Sequence, residues 1–226
     1  MTNQQISDTI KFPEIPVSAS SLSVIEKSLL GHFLLLNQPR TVVELGVYHA
    51  ETTLFMCEFL EMNSIDATLY GFDIPDVIAE CREQAQVQAY EASGKLELIG
   101  GWLPQSLEDW LQTAPQIDVI LIDAEHTYGS VLGELERVWS YVREGGFVLC
   151  HDYTPYFPGV QTAVDHFVRK AGANMLPLHS TTAAMEKGHK SGLVALAKPV
   201  VRYSKLKQLN LHWRNRLRFM KRLLGR

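Results

Sequence analysis

Apolar positions along this chain fall into two alternating patterns. Five short runs rich in β-branched residues are almost continuously hydrophobic: TVVEL (41–45), TLYGFD (68–73), LELIG (96–100), DVILID (118–123) and GFVLCHD (146–152). Such runs mark strands buried on both faces, where alternation has no solvent side to serve. The stretches between them have helical length and composition. Strand and helix in alternation predict an α/β fold with a doubly wound, mostly parallel sheet of Rossmann-like type. Ahead of the first strand, Leu22, Ile25, Leu29, Phe33 and Leu36 recur at helical spacing behind a serine cluster suited to an N-cap, and Pro39 ends that helix. Near the other end, NMLPLH (174–179) and GLVALAK (192–198) read as two strands joined by a polar loop. They predict an antiparallel hairpin that completes the sheet. The chain thus divides into an N-terminal arm (1–18), one α/β domain (19–199) and a C-terminal segment (200–226).

Composition sharpens this picture at three points. With 226 residues, 46% of them hydrophobic, one substantial core is expected rather than two. No run approaches the length of a membrane span, the first twenty residues lack signal-peptide order, and Cys57, Cys81 and Cys150 have neither disulfide nor zinc spacing. A cytoplasmic protein is the expectation. Charge is segregated. From Val201 to Arg226 there are nine basic residues and no acid, so residues 1–200 keep 12 of the 21 Lys/Arg against all 25 Asp/Glu. In that tail Leu206, Leu209, Trp213, Leu217 and Met220 share one helical face. A basic amphipathic helix of this kind suits an anionic membrane surface, a partner subunit or RNA. Nucleic acid gains no support elsewhere, because aromatic and basic residues do not interleave in the main domain.

In a doubly wound sheet ligands bind beyond the carboxyl ends of the strands, so the residues that follow each run carry the chemistry. After the first strand comes Glu44-Leu45-Gly46, where glycine permits close approach to the backbone and the helix from Glu51 offers free N–H groups to an anion. The glycines of a dinucleotide loop are absent, which disfavours a nicotinamide-dependent oxidoreductase. Asp73 ends the second strand, suited either to two ribose hydroxyls or to a helix cap. The fourth and fifth strands end in Asp123, Glu125 and His126, and in His151 and Asp152. Carboxylates and imidazoles at one rim suit a hard divalent cation or acid/base work near neutral pH.

These segments together resemble the class I S-adenosylmethionine-dependent methyltransferases. The match is strongest to a small subgroup, methyltransferase domain 24-like and related to the macrocin and catechol O-methyltransferases. Its marks are a strand ending Asp-x-x-His-x-Tyr, here IDAEHTY, and a Gly-Gly strand ending His-Asp, here GGFVLCHDY. The resemblance implies a seven-stranded sheet and S-adenosylmethionine as cofactor. It assigns Glu44, Gly46, Tyr48 and Thr52 to the methionine part, Asp73 to the ribose, Gly101 and Trp102 to the adenine, and Asp123 to the sulfonium end. It also implies a magnesium-like ion on Asp123 and Asp152, although Tyr153 stands where the catechol type has an amide ligand. Ala50 replaces the loop's second glycine, and Ala124 a glycine common after the aspartate.

The expected reaction is methylation of a hydroxyl on a small molecule or glycan. His151 and His126 are the candidate bases, His151 preferred, with Asp123 beside them. A homodimer is a candidate assembly. The alternative is a non-catalytic protein of the same fold that uses residues 200–226 to contact a membrane, RNA or a partner.

Overall fold

The computed structural model describes residues 11–13, 22–178 and 181–188. Five strands follow the predicted order: β1 (Thr41–Leu45), β2 (Thr68–Asp73), β3 (Leu96–Gly100), β4 (Ile117–Ile122) and β5 (Val142–Cys150). Among the described residues seven helices accompany them: α1 (Val24–Asn37), α2 (Glu51–Met62), α3 (Pro75–Cys81), α4 (Ala85–Ala92), α5 (Gln105–Leu111), α6 (Tyr128–Val138) and α7 (Pro158–Ala171). Every residue of β1 and of β4 is buried, as near-continuous hydrophobicity requires of strands covered on both faces. β1 pairs in parallel with both β2 and β4, and the sheet order is β3-β2-β1-β4-β5-β7-β6. The chain winds outward from β1 to β3, then crosses back to β4. This reversal between β1 and β4 is the topological switch point, where adjacent loops part and leave a crevice.

The closing hairpin exists, with its first strand at NMLPLH as expected and its second drawn from another segment. β6 (Asn174–Pro177) pairs antiparallel with β7 (Ala183–Glu186), and β7 pairs antiparallel with β5. The strand expected at GLVALAK lies outside the described residues. The segment read as a polar connecting loop supplies β7 instead, all four of whose residues are buried between β5 and β6. The basic C-terminal segment and most of the N-terminal arm also lie outside the described residues. Within that arm Phe12 packs its ring against Phe59 and His32, at 5.2 and 5.7 Å between centroids, so this part of it is docked.

Helix α1 begins as its serine cluster suggests. Ser23 is the N-cap, its hydroxyl accepts from the Glu26 backbone, and Glu26 accepts in return from Ser23 N–H at 2.9 Å. This capping box satisfies two donors that a helix start otherwise leaves orphaned. All three cysteines are free and buried. Among the described residues no helix is long and apolar enough to cross a membrane.

Candidate active site

The loop from β1 to α2 is shaped by close backbone approach. Gly46 has φ +95°, and a Cβ there would lie 2.2 Å from the carbonyl oxygen of Asp123. Glycine is therefore required by the neighbouring end of β4, independently of any ligand. Four residues on, Ala50 takes φ 61° and ψ 14°, the left-handed conformation that glycine adopts without cost. An alanine held there carries roughly 1–2 kcal/mol of backbone strain. Ala50 is fully buried and caps α2 without a side-chain hydrogen bond, so the start of α2 is not capped from its own N-cap side chain.

Glu44 lies beneath this loop. It is 1% exposed and accepts the Thr53 hydroxyl at 2.5 Å. Burial pushes its carboxyl up to about 8, against the opposing hydrogen bond from Thr53. The folded protein therefore keeps Glu44 protonated while the unfolded chain ionises it from about 4.5. Stability falls as pH rises from that value through about 8. In Glu44→Gln the Thr53 hydrogen bond is retained and this decline is removed. Thermal melts should thus show the variant gaining on the parent between pH 5 and 8; parallel profiles would refute the assignment.

Asp73 ties the loop to β2. Its Oδ2 accepts the N–H groups of Val47 and Tyr48, both at 2.9 Å, and its Oδ1 accepts that of Ile74 at 2.7 Å. Above it opens a cleft of about 810 Å³ at the switch point. Gly46, Tyr48 and Thr52 line it on the loop side, Asp73, Gly101 and Trp102 on the β2–β3 side, and Asp123, His126, His151 and Asp152 on the β4–β5 side. Of the cofactor-binding and catalytic candidates assigned from sequence, Glu44 alone is absent from the lining. Trp102 is 71% exposed at the rim.

The ends of β4 and β5 meet as the sequence suggests. His126 Nε2 lies 2.9 Å from Asp152 Oδ2 and 4.0 Å from Asp123 Oδ1, and the Phe157 ring covers His126 at 4.7 Å between centroids. His151 Nδ1 lies 2.9 Å from Asp123 Oδ1 and 3.4 Å from Asp152 Oδ2. Its Nε2 faces Thr181 Oγ1 at 3.1 Å and Glu26 Oε1 at 3.4 Å. Burial alone would lower the pKa of His151, but the carboxylates of Asp123, Asp152 and Glu26 outweigh it and push it up to about 12. An imidazole in this setting donates from both nitrogens and has no lone pair for a proton near neutral pH. The carboxyl of Asp152 is disfavoured as an anion by burial, yet the two imidazoles hold it below the usual carboxylate range. Tyr153 turns away and donates to Asp165 at 2.7 Å. Sequence reasoning missed Glu26 and Phe157. The S-x-x-E capping box was visible in the chain, but its approach to a histidine far along the sequence was not.

Comparison with known proteins agrees with this geometry. Residues 43–153 match the family Methyltransf_24, described as a methyltransferase domain. A mimivirus protein, R132 of Acanthamoeba polyphaga mimivirus, is 36% identical over 61 residues; the alignment covers 26% of this chain and 28% of that protein's length. The fold is similar to that of the Bacillus cereus O-methyltransferase solved with S-adenosylhomocysteine (TM-score 0.58, 13% identity, 81% of this chain and 88% of that one). It is similar also to TomG from Streptomyces achromogenes, solved with S-adenosylmethionine (TM-score 0.54, 16% identity, 83% and 92%), and to the O-methyltransferase NovP (TM-score 0.54, 21% identity, 72% and 80%). With a cleft at the switch point of its sheet, the chain carries a methyltransferase domain over residues 43–153, in the fold of the class I S-adenosylmethionine-dependent methyltransferases.

Proposed function

We propose that this protein transfers the methyl group of S-adenosylmethionine to a hydroxyl of a small molecule or sugar. The observation that carries the reading is the His126–Asp152 pair at 2.9 Å, at the mouth of the cleft with His126 40% exposed. An acceptor hydroxyl must lose a proton as its oxygen attacks, and a positioned imidazole backed by a carboxylate suits that task. His126 is assigned as the base in place of His151, because the three carboxylates around His151 keep its ring protonated.

The cofactor brings an already activated methyl group, so the protein's work is binding, orientation and proton removal. The N-terminus of α2 with Gly46, Tyr48 and Thr52 would take the methionine part, Glu44 supporting the loop from below through Thr53. Asp73 would take the ribose, for a carboxylate has about four acceptor sites and three are in use. Trp102 would cover the adenine. Asp123 would lie at the sulfonium end, where its negative charge favours the cationic centre. Phe157 gives the acceptor side an apolar wall.

A second reading of the same rim is a divalent cation. One ligand atom from each of Asp123, His126 and Asp152 falls within 4.8 Å of the others. Two carboxylates and an imidazole fit such an ion and suit manganese or zinc better than magnesium; bound there, it would lower the pKa of the acceptor hydroxyl. Both readings are tested by supplying methyl-labelled cofactor with catechol and sugar hydroxyl acceptors alongside matched amines. Label on oxygen is expected. Transfer to the amines alone would refute the hydroxyl assignment, and activity lost to EDTA but restored by manganese would favour the cation.

A further inference from the structure

Glu26 lies in α1, outside the span that matches the methyltransferase domain family. It is 6% exposed, and a carboxylate is not buried at that depth without partners that repay its desolvation. Its two oxygens divide their work. Oε2 accepts from Ser23 N–H at 2.9 Å and from the Ser23 hydroxyl at 2.7 Å, which completes the capping box. Oε1 is directed the other way, to the Thr181 hydroxyl and to His151 Nε2. Thr181 belongs to the link between β6 and β7, and its carbonyl accepts the Tyr153 N–H at 2.6 Å, just beyond β5. Helix α1, the closing hairpin and the end of β5 therefore meet at one edge of one imidazole.

We propose that Glu26 is a positioning residue for methyl transfer. With Thr181 it holds the Nε2 edge of His151, so that Nδ1 stays on Asp123 Oδ1 and the Asp123 carboxylate is fixed at the rim. The N-terminal helix is thus part of the active-site frame as well as a cover for the sheet. Rotation of the ring would release Asp123, and errors of position of that order cost roughly 10²-fold in rate even when the reacting groups are intact. The proposal rests on the hydroxyl methyl-transfer reading for its effect on rate, but its geometric content is measurable without turnover.

Three variants separate positioning from helix capping. Glu26→Ala removes both functions, Glu26→Gln keeps one acceptor oxygen for the His151 edge and turns its amide N–H₂ to the Ser23 hydroxyl, and Ser23→Ala breaks the cap without touching His151. Each is made in the full chain with ¹⁵N-histidine, and the His151 ring nitrogens are assigned among the eight histidines with His151→Gln. Glu26→Ala should displace the His151 ring signals, Glu26→Gln should return them part of the way, and Ser23→Ala should lower the Tm while leaving them in place. With the best acceptor of the labelled-methyl panel, Glu26→Ala should lower kcat by about ten-fold or more, with the cofactor KM within about two-fold. Unchanged His151 signals in Glu26→Ala, or equal displacement in Ser23→Ala, would overturn the proposal. A parent protein that displays the ring coupling but no transfer to oxygen would instead count against the methylation reading alone.

Discussion

Asp73→Ala should lose S-adenosylhomocysteine binding by about ten-fold or more in Kd. The one acceptor site that the loop leaves on Asp73 gives a charge-assisted hydrogen bond to a ribose hydroxyl of about 1.5–3 kcal/mol, and a 1.4 kcal/mol loss is ten-fold. The substitution also strips the partner from the Val47 and Tyr48 N–H groups, both 2.9 Å from Oδ2. The loop that presents the methionine side would then loosen as well, with a lower Tm of the free protein. Calorimetric titration of parent and variant, with melts of each, distinguishes the two consequences. Binding within about three-fold of the parent would mean that Asp73 serves the loop alone.

The second large effect is expected at His126. Glutamine at this position preserves much of the size of the ring and its contact with Asp152, but it cannot accept a proton. His126→Gln should lower kcat by about 10²-fold or more, in the usual range for a lost general base, with S-adenosylhomocysteine affinity unchanged. His151→Gln should differ in kind, since His151 is wedged between Asp123 and Glu26 and its loss disturbs the rim itself. If His126→Gln keeps the parent's kcat, the proton leaves by another route and the assignment of His126 fails.

The strands that were legible in the sequence were those whose burial on two faces wrote continuous hydrophobicity into the chain. TVVEL, TLYGFD and LELIG became β1, β2 and β3 at the expected residues. The second strand of the hairpin was missed because β7 has only four residues, Ala183–Glu186, and two of them are alanines. Pairing with β5 on one side and β6 on the other buries it, and the contact with β5 is distant in sequence. At the cleft, residue types at strand ends were readable because topology gathers those ends at one place. Their division of labour was not. From sequence Asp73 suits a ribose or a helix cap, and the structure adds two hydrogen bonds to the loop after β1. Glu44 reads as part of the binding loop, yet it supports that loop from the core. His151 reads as the better base, yet its two nitrogens face carboxylates from three separate segments. Ala50 adopts the left-handed turn expected of glycine, and the surrounding burial holds it there at a cost in strain.

Diffraction from crystals grown with S-adenosylhomocysteine tests the cofactor assignment most directly. A ribose hydroxyl on Asp73, the adenine against Trp102, the amino-acid end at the start of α2 and the sulfur beside Asp123 are the expected contacts. Occupation of the cleft in another orientation, or a cleft left unoccupied at saturating ligand, would contradict the assignment.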